Sequence, residues 1–140
     1  MDGGGVLIIG IMKNPKTRCG GRWTEARFKS FIISALRGCF RKWDPKVQCV
    51  KNARIRRGWY RCECCKEEVP ATLPPKEGGK RRIKNIVADH IEPIVDPIDG
   101  FKGYDEWIRR GFVELSGFQA LCHKCHQAKC KEEREQRRNR

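Results

Sequence analysis

Acidic side chains are scarce: 17 Asp and Glu stand against 31 Lys and Arg in 140 residues, a net charge of +14. A balance this basic, with pI ≈ 9.7, excludes a basic partner and points to a polyanion. Long apolar runs are missing as well. The stretch "VLIIGIM" (6–12) is too short to span a bilayer, and no positive charge precedes it, so neither a membrane span nor a secretory signal is expected. Internal repeats are absent too. Mean hydropathy is −0.70 and 34% of residues are charged, so a core is feasible but thin, and metal staples would help it.

Cysteine, by contrast, is abundant. Nine is an odd count for a disulfide framework, and with no signal peptide the C-x-x-C units fit zinc in a reducing cytoplasm better. The charge is unevenly distributed. Residues 13–61 hold fifteen Lys or Arg against Glu25 and Asp44, and "KEGGKRRIK" (76–84) adds five positives and one negative. Residues 85–125 reverse the sign, with four positives and seven acids. A basic body around an acidic centre suits a protein that holds phosphates near a bound cation, and Arg81, Arg82 and Lys129 are candidate nucleic-acid contacts.

Four segments follow from these patterns: 1–21, a flexible N-terminal segment; 22–57, a basic helical region; 58–130, a core with cysteine knuckles; and 131–140, a charged helical tail. The opening "MDGGG" reads as disordered, and Met12 offers an alternative start. Thr24 caps a helix running to about Arg41, with Phe28, Phe31, Ile32, Ala35, Leu36, Cys39 and Phe40 as its buried stripe. Asp44-Pro45 reads as the N-cap and N1 of a second helix towards Arg56, burying Val47, Val50 and Ala53. "WYR" is a short strand entering a knuckle, residues 70–80 a loop, and Ile83–Ile91 a strand that Pro93, Pro97 and Gly100 bar from continuing as a helix. "YDEWIRR" offers a short helix, and a charged helix runs from His126 to the end of the chain.

Cys62-x2-Cys65 and Cys122-x2-Cys125 are two knuckles separated by 56 residues. Each turn puts two thiolates on one side of a tight loop, and two turns complete a tetrahedral zinc site that ties distant segments together. Such a site is closed and structural. Cys64 would leave a strained C-x-C, whereas Cys39 and Cys49 read as small core residues. His126 follows Cys125 directly and so points elsewhere, which raises a second metal, while His123 sits inside the knuckle loop and reads as exposed. Asp89 and His90 adjoin at the end of an apolar strand, where neighbours face opposite sides, so one can bind metal while the other approaches substrate.

Taken together, C-x2-C, "DHIEPIVDP" and "GFQALCHKCHQAK" resemble the zinc-containing HNH endonucleases, particularly small bacteriophage-encoded ones. The resemblance reaches from "RWTEARFKSFIISALR" through the second knuckle. It implies an α+β fold: a ββα-metal core beside a four-cysteine structural zinc, here with an N-terminal helical extension. It also implies His90 as general base, Asp89 and His126 as ligands of Mg2+ or another divalent ion, and double-stranded DNA as substrate. Phage packaging or replication proteins in the host cytoplasm are the partners that follow. One position departs from the pattern: the asparagine often found five residues before the second knuckle falls on Gly117, which has no side chain to pin the loop that orients the base. Ser116, Gln119 or backbone groups are the available replacements.

Two rival readings use the same residues. His90-Ile91-Glu92 with Cys122-x2-Cys125 matches part of the zinc deaminase signature, but Leu121 stands where proline is expected and Cys62 and Cys65 would be idle. A non-catalytic zinc-binding nucleic-acid binder explains the charge and the cysteines, and leaves Asp89, His90 and His126 to chance.

Overall fold

The computed structural model describes residues 13–139. The expectations for "MDGGG", "VLIIGIM" and Met12 fall outside the described residues. The fold is mixed α+β with small sheets, and the chain divides into two compact units, ending at Cys39 and beginning at Phe40. That division falls inside the 22–57 segment.

The first unit is a turn leading into a helix. Thr24 accepts the Arg27 backbone N–H at 3.1 Å, capping α1 (Glu25–Phe40) as the sequence predicts. Thr17 and Arg18, assigned to a flexible segment, are tied to the first turn of α1: both donate to Glu25, which holds its carboxyl below the usual range. The predicted buried stripe is a different matter. Phe31 is 59% exposed, Ala35 and Cys39 are exposed, and Phe40 is the buried residue of the helix. A 3.6-residue apolar period says which face of a helix would bury, not that a partner covers it.

The second unit starts at Phe40. Helix α2 (Asp44–Asn52) is capped by Trp43, with Asp44 one place inside, so the predicted start is displaced by one residue. It also ends four residues early. Arg61 N–H bonds the Ala53 carbonyl, and β1 (Arg54–Arg56) turns at Gly58 (φ +81°) to pair with β2 (Trp59–Arg61). Val47 is therefore exposed, while Val50 and Ala53 pack on the core as expected. The first knuckle joins β2 to β3 (Glu68–Pro70), which completes a three-stranded antiparallel sheet. A two-stranded pair follows, β4 (Thr72–Leu73) with β5 (Ile83–Lys84).

The pair that positions the site is β6 (Ile86–His90) with β7 (Phe118–Cys122), antiparallel, Ile86 opposite Cys122 and His90 opposite Phe118. Between them run α3 (Tyr104–Gly111) and a 3-10 turn at Leu115–Gly117. Helix α4 (His123–Arg138) follows β7 without a break. It begins three residues earlier than the sequence suggests, so His123 is half-buried in its first turn rather than exposed in a loop. Cys122, at the N-cap, offers no side-chain cap; the buried Asn85 supplies one, its Oδ1 accepting the His123 N–H at 3.1 Å while its Nδ2 donates to the Pro70 carbonyl. The core under the strand pair is Phe40, Cys49, Ile86, Phe118 and Ala120. Among the described residues, no helix is long and apolar enough to cross a membrane.

Candidate metal centre and Asp-His site

Cys62, Cys65, Cys122 and Cys125 converge, their sulfurs all within 4.8 Å of one another and the Cys65 and Cys122 sulfurs 4.0 Å apart. Four sulfurs about 2.3 Å from a tetrahedral ion lie about 3.8 Å from each other, so the donor set and its spacing fit a structural metal ion such as zinc. The first pair sits on a turn closed by Cys62 N–H to the Glu67 carbonyl and Lys66 N–H to the Cys62 carbonyl, with Lys66 at φ +66°. The second pair straddles the β7–α4 junction.

Burial pushes the Cys62 thiol up, but N–H donors from Cys122, Cys65 and Cys64 outweigh it and bring it to about 6; the Cys122 N–H lies 3.3 Å from its sulfur. Cys125 moves the other way, raised by burial and by the neighbouring thiols. Four thiolates this close would repel one another, and a bound cation would offset that repulsion.

The other end of the strand pair carries different donors. Strand alternation sends Asp89 and His90 to opposite faces, as their adjacency predicts. On one face His90 stacks on Phe40, ring centroids 5.0 Å apart, and packs against Phe118 at 4.8 Å. Its Nε2 lies 2.8 Å from the Gly111 carbonyl oxygen. A carbonyl only accepts, so Nε2 carries the proton and the neutral ring keeps its lone pair on Nδ1. Burial lowers the His90 pKa, opposed by the Gly111 carbonyl and Asp89, which favours that neutral ring.

On the opposite face Asp89 meets α4. Its Oδ2 accepts from Lys129 Nζ at 2.6 Å and from Gln119 Nε2 at 3.2 Å. Its Oδ1 faces His126 Nε2 at 3.6 Å, longer than a hydrogen bond. One carboxylate oxygen is thus fixed by the protein and the other is directed at an imidazole. Lys129 also donates to the His90 carbonyl and pairs with Glu133 at 3.2 Å. Lys129, expected to contact phosphate, is half-buried with Asp89, Glu133 and the His90 carbonyl around its ammonium, and the two carboxylates hold its pKa up against burial. Arg82 is partly engaged, donating to Thr72 Oγ1 at 2.9 Å, whereas Arg81 is exposed on the loop. His126 lines an open groove of about 650 Å³ along α4 with Lys124, Lys131 and Arg134. A separate cleft of about 450 Å³, lined by Cys49, Arg54 and Glu63 among others, contains none of Asp89, His90 and His126.

Gly117 has a steric explanation. A Cβ there would lie 2.5 Å from Val113 Cγ2 and 2.9 Å from Val113 Cβ, so no side chain fits without movement. Its carbonyl accepts the Ile91 N–H at 3.0 Å, fixing the residue after His90 through backbone alone. The loop beyond is held by Arg110, which donates twice to the Pro93 carbonyl. Sequence reasoning did not find the Gly111 carbonyl, the Lys129 and Gln119 contacts to Asp89, or Cys130, whose sulfur is 3.8 Å from His126 Nε2. Gln119 is named from sequence only as a stand-in for the asparagine, and Cys130 leaves a trace as the i+4 neighbour of a histidine on a helix. No protein-family model, curated protein or solved structure gives a significant match to the chain.

Proposed function

We propose that this protein is a metal-dependent endonuclease of the HNH type that hydrolyses phosphodiester bonds of double-stranded DNA. The observation that carries the reading is the 3.6 Å approach of Asp89 Oδ1 to His126 Nε2, with His90 next to Asp89 on the same strand. An antiparallel strand pair followed directly by a helix, beside four converging cysteines, supports the reading of a ββα-metal core with a structural zinc. Asp89 and His126 would hold a divalent ion such as Mg2+, which would supply Lewis-acid stabilisation of the charge that develops in phosphodiester hydrolysis.

The chain's own groups supply the rest. His90 takes the proton of the attacking water on Nδ1, and its Nε2–H to the Gly111 carbonyl holds the ring in that tautomer. The orienting work expected of an asparagine side chain at 117 then falls to a backbone carbonyl. Lys129 and Gln119 fix the Asp89 carboxylate, and Lys124, Lys131 and Arg134 around His126 supply sequence-independent affinity for phosphates.

Gly117 favours one competing reading, a non-catalytic zinc-binding nucleic-acid binder. Nicking of supercoiled plasmid decides between them. Purified protein should convert plasmid to the open-circular or linear form with Mg2+ or Mn2+ and not in EDTA, and His90→Ala should not. Binding without cleavage under every divalent ion would leave only the binder.

A further inference from the structure

We propose that Cys130 is a third protein ligand at the Asp89–His126 site, and that this site takes a thiophilic first-row ion such as Zn2+ or Co2+ in preference to Mg2+. The inference rests on the reading that Asp89 and His126 hold a cation, and it names the chemistry of that cation.

Two donors flank one imidazole nitrogen. His126 Nε2 lies 3.6 Å from Asp89 Oδ1 and 3.8 Å from Cys130 Sγ. With metal bonds of about 2.0–2.1 Å to nitrogen, 2.0–2.2 Å to oxygen and 2.3 Å to sulfur, neighbouring donors on one tetrahedral ion sit roughly 3.3–3.6 Å apart. Both separations are within a few tenths of an ångström of that. His126 and Cys130 are four apart on α4, so they share a face, and both line the open groove along that helix. Asp89 is prepared for the role, with Oδ2 held by Lys129 and Gln119 and Oδ1 turned to the imidazole. The three donors do not lie as mutually close as the four sulfurs do, so the proposal includes a rotation of the half-buried Cys130 side chain towards Asp89 Oδ1. The thiol binds as thiolate, releasing its proton to solvent.

A mixed oxygen, nitrogen and sulfur donor set has a clear preference. Mg2+ demands hard oxygen ligands and keeps its waters, whereas thiolate selects softer ions. The plainer alternative is that Cys130 merely donates a weak S–H bond to His126.

Cobalt separates the two. Protein whose four-cysteine site is filled with zinc is titrated with Co2+, while a chromophoric chelator confirms that no zinc is released. The expected result is one further Co2+ per chain, with thiolate-to-cobalt charge-transfer absorption that Cys130→Ser abolishes. Cys130→His should restore Co2+ binding without that absorption, which also shows that the position tolerates change. Mg2+ affinity should be the same in wild type and Cys130→Ser. A second Co2+ that needs Asp89 and His126 but shows no thiolate band, and binds Cys130→Ser equally well, overturns the Cys130 assignment and leaves the nuclease reading standing. Absence of any second cation site overturns both.

Discussion

At the Ile86/Cys122 end of the β6–β7 pair four sulfurs converge; at the His90/Phe118 end a carboxylate and an imidazole approach to 3.6 Å. The two ends are about four residues apart, roughly 13 Å along the strand. They share α4, which presents Cys125 to one and His126 to the other. The sulfur end uses four identical donors that would repel one another once ionised, a repulsion a bound cation would offset. The other end is already supported by protein groups: Lys129 and Gln119 on Asp89, and the Gly111 carbonyl on His90. Stability is thus expected to depend on metal at one end, and chemistry at the other.

The largest effect should come from the sulfur end. Cys62→Ser places a serine hydroxyl where a fully buried thiolate belongs, and should lose the bound metal together with the cooperative thermal transition, read by metal content and circular dichroism. A folded, metal-free Cys62→Ser protein would erase the contrast between the ends. His90→Ala comes next: plasmid cleavage should fall by ~10²–10⁴-fold, the usual share of a general base, while metal content stays close to wild type. The protein should still fold, with a lower Tm because the ring leaves the Phe40–Phe118 packing and the Gly111 carbonyl. Equal loss of fold in that variant would show that the Phe40–His90–Phe118 stack is structural and little else.

Gly117→Asn tests whether backbone has replaced a side chain. It should destabilise by ~1–3 kcal/mol through overpacking against Val113, seen as a fall in Tm, and should not raise cleavage. The smallest effect concerns Cys49, a thiol between the two ends that serves neither. Burial, reinforced by Glu63 and Asp89, pushes it to about 11, above its ordinary value near 9. A thiol raised by folding contributes stability that is full below the unfolded pKa and lost as pH rises through the folded one. Wild type should therefore lose stability relative to Cys49→Ala between about pH 9 and 11. Near pH 8, iodoacetamide should modify exposed Cys19 and Cys39 and spare Cys49, as mass spectrometry would show.

What the sequence made legible was local. Two C-x-x-C spacings sufficed for the quartet, and alternation along one strand for the opposed faces of Asp89 and His90. What it hid depends on residues far apart in the chain. Asn85 caps α4 across 38 positions, so the helix starts at His123 rather than His126. Asp89 pairs with Lys129 across 40 positions, a contact that no local pattern announces. The β1–β2 pairing truncates α2 at Asn52 although its sequence reads on as helix. Cys39 fits the apolar period of α1 and is exposed, because periodicity specifies a face without supplying a neighbour.

The contact between Gly117 and Val113 also sets an order on evolutionary change. A chain with valine at 113 that acquires asparagine at 117 passes through an overpacked intermediate; one that first reduces 113 to alanine opens room and passes through a cavity instead. The two positions are epistatic, and each is conservative or damaging only in light of the other. Sequences descended from this one should therefore vary at 113 before they vary at 117, and Val113→Ala should soften the destabilisation caused by Gly117→Asn.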